Sequence, residues 1–282
     1  MLGLEKMSNL AQRVIAGVLG AAILINAIYW SEYSFFLLFA FIMSFSLWEF
    51  YTLLEKAGYK PMKRYMMGFN IVCIINIFSV LIVENHINKS FNPLNPSDML
   101  LQKIMVYVSL VLYLMISIGI FLAFIVKLYD KNDKQPFVNI ALSILGILYV
   151  TVPFVLFIFY SWHFSGKQMD LGEYQYQIPL GILFCLWASD SGAYFVGRKL
   201  GKTKLFERIS PKKSWEGFAG GMFFSQVVAF VLSMYFTSLA GWKWHVISAI
   251  IVIIGTYGDL VESMLKRSLD IKDSGSVIPG HG

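Results

Sequence analysis

Apolar residues run along this chain in long blocks, separated by short polar stretches. A span needs about 20 mostly apolar residues to cross the hydrocarbon core of a bilayer. Eight blocks qualify, at 13–30, 34–54, 65–83, 104–126, 137–160, 178–197, 217–240 and 244–265. The pattern predicts an all-α, polytopic membrane bundle with eight transmembrane helices. Lys6 and Arg13 ahead of the first block imitate a signal peptide. That block instead runs on to Tyr29-Trp30 without a small-residue cleavage site, and a second span follows at once, so it reads as a retained helix. The longest polar gap, "ENHINKSFNPLNPSD", carries the Asn-Pro punctuation of a solvated turn region. No internal repeat, low-complexity tract or separable soluble domain interrupts the series.

Composition agrees with the pattern. Hydrophobic residues make up 57% of the 282 and charged residues only 14%, against roughly 25% charged in ordinary globular domains. Mean hydropathy is +0.64, which excludes a water-soluble domain of this length. With the N-terminus inside, the inner segments hold Lys6 and Arg13; Lys56, Lys60, Lys63 and Arg64; Lys127, Lys131 and Lys134; the seven basic residues from Arg198 to Lys213; and Lys266, Arg267 and Lys272. That is 19 of the 23 basic residues, and only Lys89, Lys103, Lys167 and Lys243 fall outside. The positive-inside rule therefore predicts a cytoplasmic N-terminus, in a membrane of the bacterial inner type. The net charge of +6 suits a face near anionic lipid headgroups and gives no sign of a nucleic-acid partner. Cys73 and Cys185 lie at lipid depth, too isolated for a metal site, and read as packing residues.

Charge divides the chain into two regions. Residues 1–175 form bland spans, with Glu49 near an inner end, and read as a lipid-facing scaffold. Residues 176–282 hold acidic groups at membrane depth and the most basic loop in the protein. In "LWASDSGAYFVGRKLGK", Asp190 sits where an ionised carboxylate is expensive, and Asp190, Tyr194 and Gly197 share a helix face. Next comes "GRKLGKTKLFERISPKKSWEGFAGG". Here Ser210 or Ser214 is a candidate helix cap, with Pro211 tolerated in a first turn. Lys212 and Lys213 beside free N–H groups of a helix start would make a phosphate-binding surface. In the eighth span Asp259, Glu262, Ser263 and Lys266 fall within about a 100° arc at 100° per residue. These are hard oxygen donors of the kind that hold Mg²⁺ together with substrate phosphates. A structural Asp190 bonded to a neighbouring helix, and an internally neutralised ion-pair cluster on the last span, are the bland alternatives.

Carboxylates for a divalent cation, lysines for phosphates and an inward-facing site point to phosphoryl or nucleotidyl transfer. There is no Walker-type loop and no kinase signature set. His86, His163 and His245 lie at outer loops or span edges and His281 at the end of the chain, so no Ser/His/Asp arrangement forms.

Ser263-Met-Leu-Lys266-Arg267, then Lys272-Asp273, Gly275, Ile278-Pro279 and His281-Gly282 resemble the terminal signature of the phosphatidate cytidylyltransferase (CDP-diacylglycerol synthase) family. "SDSGAYFVGRKLGK" and "ISPKKSWEG" resemble its upstream blocks, and the specific likeness covers roughly 180–282. The resemblance implies that CTP and phosphatidic acid give CDP-diacylglycerol and pyrophosphate with Mg²⁺, a second cation being possible. Carried onto this chain, Asp259, Asp190 and Asp273 would be metal ligands. Asp259, Asp190, Lys266 and Lys213 would be catalytic. Ser210, Lys212, Lys213, Ser214, Ser263, Lys266, Arg267, Lys272 and His281 would bind substrate phosphates. The implied partners are CTP, phosphatidic acid and the bilayer, with a homodimer open. The family pattern continues with a second Gly, an Asp-Arg pair and a ninth span. Their absence predicts a chain truncated at its C-terminus, with weak or no activity as written. A CTP-dependent lipid or polyprenol kinase and an ion-coupled secondary transporter are the rival readings; the transporter would need inverted repeats that the bland-then-charged layout lacks.

Overall fold

The computed structural model describes residues 9–90, 95–164 and 171–271. Its helices are α1 (Asn9–Trp30), α2 (Glu32–Lys56), α3 (Lys63–Ser90), α4 (Pro96–Leu128), α5 (Pro136–Gly146), α6 (Val152–Tyr160), α7 (Gln177–Leu200), α8 (Trp215–Tyr235) and α9 (Gly241–Ser268). A π-helical turn, Ile147–Thr151, joins α5 to α6 into one continuous span. Two short antiparallel ribbons complete the described chain: β1 (Trp162–Phe164) with β2 (Leu171–Tyr174), and β3 (Lys204–Phe206) with β4 (Ser210–Ser214). Seven helical runs are long and apolar enough to cross a membrane, and Val14–Trp30 is a shorter apolar helix. This is a polytopic all-α membrane fold.

Helix ends follow local chemistry. Ser31 and Ser34 form a reciprocal capping box at the start of α2. Gly58, at φ 89°, ends that helix, with Tyr59 N–H donating to Leu54 O at 3.0 Å and Gly58 N–H to Glu55 O at 3.1 Å. Asn95 caps α4 and Pro96 begins it. The expected long solvated turn is therefore shorter than predicted: helix continues to Ser90 on one side and resumes at Pro96 on the other. The π turn has a cause in Pro153. A proline inside a helix lacks the N–H for its i−4 carbonyl and crowds that carbonyl, here Tyr149 within the turn.

Packing divides the chain into two compact units, Trp30–Tyr174 and a second made of Met1–Tyr29 with Gln175–Gly282. Packing thus groups the first span with the last three. In Trp30–Tyr174, Phe35, Met43, Leu47, Tyr51 and Leu54 are fully buried along α2. Polar groups inside these apolar helices satisfy one another: Tyr51 Oη donates to Ser143 O at 2.6 Å, Asn70 Nδ2 to Ser44 Oγ at 3.0 Å, and Thr151 Oγ1 to Asn70 Oδ1 at 3.1 Å. Interhelical bonds of this kind replace the water that hydrocarbon lacks.

The other unit is built on α7, α8 and α9, which bury Ile178, Cys185, Ala229, Leu232 and Trp244 together. Ser248 Oγ donates to Ser225 Oγ at 2.8 Å, and Ser225 Oγ to Cys185 O at 3.0 Å, tying all three helices at mid-length. Helices α7 and α8 approach closely because glycine faces glycine: a Cβ on Gly192 would lie 2.7 Å from Gly220 O.

Candidate functional site

The last half of α7, the β3–β4 ribbon, the start of α8 and the second half of α9 enclose a cavity of about 880 Å³. Its polar lining includes Asp190, Lys212, Lys213, Ser214, Thr256 and Asp259, and its apolar wall is Leu186, Leu205, Phe218 and Ile251. Asp190, Tyr194 and Gly197 reach it together from one face of α7. Gly197 and Gly217 keep its floor thin, since a Cβ on Gly197 would touch Gly217 Cα at 3.4 Å.

The electrostatics centre on one contact. Lys213 Nζ forms an ion pair with Asp259 Oδ2. The carboxylate stays 57% exposed and the lysine side chain 25%, so the pair opens onto the cavity. Lys213 Nζ also lies 3.5 Å from Thr256 O. Asp190 lines the same cavity from α7. The Asp259 carboxylate thus already holds one cation, the Lys213 ammonium, and a second carboxylate lines the same cavity. Among the described residues no group of three or more His, Cys, Asp or Glu side chains comes together as a metal site, and Asp273 lies outside the described residues.

The loop after α7 is held more tightly than its sequence suggests. Ser214, not Ser210, caps α8, its Oγ accepting from Gly217 N–H at 3.2 Å. Pro211 lies in strand β4 rather than in a first helical turn. Trp215 N–H donates to Thr203 O at 3.0 Å. Two first-turn amides of α8 are therefore occupied, so the helix start has fewer free N–H groups than the sequence predicts, alongside its dipole and the neighbouring lysines. Glu216 reaches back across the loop, its carboxylate accepting from Lys202 N–H at 3.1 Å and Thr203 N–H at 3.1 Å. The base of the lysine ribbon is thereby pinned to the start of α8.

Not every candidate converges on the cavity. Ser210 pairs in register with Phe206 at the far end of the ribbon, and the lining omits it, Ser263, Lys266 and Arg267. Lys266 Nζ bonds Glu262 Oε1 at 3.0 Å, so that part of the α9 arc neutralises itself. Beyond it α9 ends at Ser268 and is closed by Asp270, whose φ of 55° places it in the left-handed cap position, with Ile271 N–H donating to Lys266 O at 2.9 Å. Lys272, Asp273 and His281 lie outside the described residues. Sequence reasoning passed over Glu216, Arg198 and Thr256. Glu216 two residues after a capping serine was a usable signal for the first, and Arg198 one helical turn after Tyr194 for the second.

A family profile described as "Cytidylyltransferase family" matches residues 11–282. The chain belongs to the cytidylyltransferase family. Among similar proteins, the phosphatidate cytidylyltransferase of Bacillus subtilis is 41% identical over 132 residues, covering 45% of this chain and 48% of that protein. That of Staphylococcus saprophyticus is 35% identical over 164 residues, covering 57% and 59%. That of Haemophilus influenzae is 36% identical over 165 residues, covering 55% and 54%. The chain spans about half the length of these curated relatives. As a cytidylyltransferase-family fold, it gathers acid and lysine from three separate sequence blocks into one cavity.

Proposed function

We propose that the protein transfers the cytidylyl group of CTP to phosphatidic acid, giving CDP-diacylglycerol and pyrophosphate. The observation that carries this reading is the convergence of Asp190 and Asp259 with Lys212 and Lys213 on one cavity, in a chain of this family. A phosphate oxygen of phosphatidic acid attacks the α-phosphorus of CTP, the bond to the bridging oxygen of the β-phosphate breaks, and pyrophosphate leaves with that electron pair. The attacking phosphate is already anionic at neutral pH, so the reaction requires no general base. Lys212 and Lys213 hold and neutralise the triphosphate beside the positive end of the α8 dipole.

Asp190 and Asp259 fit a divalent cation: they are hard oxygen donors on one cavity, and Asp259 already takes an ammonium. Mg²⁺ is usually held by one or two carboxylates plus substrate phosphates, with Asp273 as a further ligand. When bound, Mg²⁺ would neutralise charge on the phosphates. The bias of Lys and Arg toward one side of the spans supports a cavity open to the cytoplasm of a bacterial inner membrane.

The test uses membranes carrying the protein, phosphatidic acid, and CTP labelled at either the α- or the γ-phosphorus. Label from the α-position is expected in the lipid, and γ-label in released pyrophosphate. Transfer of γ-label alone to lipid would make the protein a CTP-dependent kinase and end this reading.

A further inference from the structure

Three cationic side chains line the cavity, Arg198, Lys212 and Lys213. Lys213 is engaged with Asp259, and Lys212 precedes it on β4, beside the start of α8. Arg198 differs in both place and partner. It lies in the last turn of α7, about 12 Å along the helix axis from Asp190 at 1.5 Å per residue. Among the described residues no carboxylate pairs with it. Its Nη1 donates instead to Tyr194 Oη at 3.0 Å, and its guanidinium carbon stands 6.0 Å from the centre of that ring. Tyr194 is 58% exposed, so an aromatic ring and a held guanidinium border the same cavity.

A guanidinium held beside an exposed aromatic ring suits an uncharged, hydrogen-bonding edge that can also stack. A nucleotide with its α-phosphate beside Asp190 would extend along α7 toward Tyr194 and Arg198 to bring its base to that pair.

We infer that Arg198 and Tyr194 form the nucleobase subsite of the cavity, with Arg198 selecting cytosine. Cytosine presents O2 and N3 as adjacent in-plane acceptors, and a guanidinium offers two parallel N–H donors to such a pair. The bond to Tyr194 uses one of the five N–H groups and leaves a fork free. Uracil carries an N–H at N3, which meets the same fork donor to donor. Tyr194 supplies a stacking face of the kind any base accepts, and its hydroxyl fixes the plane of the guanidinium. Arg198 is thus a specificity-determining residue, and this inference rests on the cytidylyl-transfer reading above.

The experiment compares CTP and UTP, each labelled at the α-phosphorus, as donors to phosphatidic acid in membranes carrying wild type, Arg198→Ala, Arg198→Lys or Tyr194→Phe. The readout is the ratio of kcat/KM for the two nucleotides, which is independent of how much protein folds. Arg198→Ala is expected to lower the CTP preference by about ten- to hundredfold, the scale of one bidentate base contact, mainly through KM for CTP. Arg198→Lys keeps the charge, loses the fork and should lose the preference as well. Tyr194→Phe should retain stacking and lose part of the preference. An unchanged ratio in Arg198→Ala, or full restoration by lysine, overturns the inference. If wild-type membranes move no α-label into lipid, the cytidylyl-transfer reading itself falls, a result distinct from transfer with an unaltered preference.

Discussion

Lys127 and Lys213 both sit at the ends of apolar spans, and on sequence both read as inner-side charge. Their surroundings differ. Lys127, 7% exposed, donates to Asp133 at 2.6 Å, to Asp130 at 3.3 Å and to Lys60 O at 3.0 Å. Asn139 completes that cluster with two bonds to the Asp133 carboxylate. Lys213 instead pairs with one half-exposed carboxylate on an open cavity that a second acid, Asp190, also lines. The first cluster is closed and holds the unit Trp30–Tyr174 at one end; the second is open and has capacity for ligands. Charge at a helix end becomes a site where its partners leave donors and acceptors unfilled.

That contrast can be broken by substitution. Asp190→Asn and Lys213→Ala should each lower cytidylyl transfer by roughly 10²–10³-fold, the scale of one preorganised electrostatic contact. Thermal melts in detergent should shift little. Lys127→Met should do the reverse, because it leaves the Asp133 carboxylate buried without its cation. Breaking a buried pair this way costs about 3–5 kcal/mol, read as a lower melting temperature, with transfer per folded molecule kept.

A pH titration sharpens the closed side. Burial by itself would raise the Asp133 carboxyl, but hydrogen bonds from Lys127, Asn139 and the Gln135 amide prevail and bring it down to about 2. A group depressed in the folded state stabilises above its unfolded value of about 3.9, and that contribution is lost as pH falls toward the folded value. Melting temperature should therefore hold down to about pH 4 and decline below it, less steeply in Asp133→Asn. The smallest effect belongs to Glu216. Glu216→Ala should raise KM for CTP a few-fold by loosening the lysine ribbon, with kcat nearly kept, and Glu216→Gln should restore most of it by retaining one amide acceptor. A fall in kcat at unchanged KM would show that Glu216 does something other than position the ribbon.

The spans were legible because membrane depth imposes a minimum apolar length: seven of the eight predicted blocks fall within helix, and the block at 217–240 overruns the end of α8 at Tyr235 by five residues. The face carrying Asp190, Tyr194 and Gly197 was legible from helical period alone. The grouping of α1 with α7–α9 was not, because an apolar face records no address for its partner. The β3–β4 ribbon was hidden too: "SPKKS" lacks the alternation of a half-buried strand, and its pairing rests on a loop closed by Glu216 onto backbone amides. The Lys213–Asp259 pair joins two blocks far apart in sequence, each of which read only as half of a site. Lys127 counted on sequence only as inner-side charge, and tertiary packing reveals it as buried.

The most direct measurement compares wild type with Asp259→Asn for transfer of α-labelled CTP into phosphatidic acid, in membranes matched for protein amount and melting temperature. Wild type is expected to label lipid, and the variant to lose at least about a hundredfold of that labelling at unchanged stability. Equal labelling by the two would contradict the claim that the open cluster around Asp259 performs the chemistry.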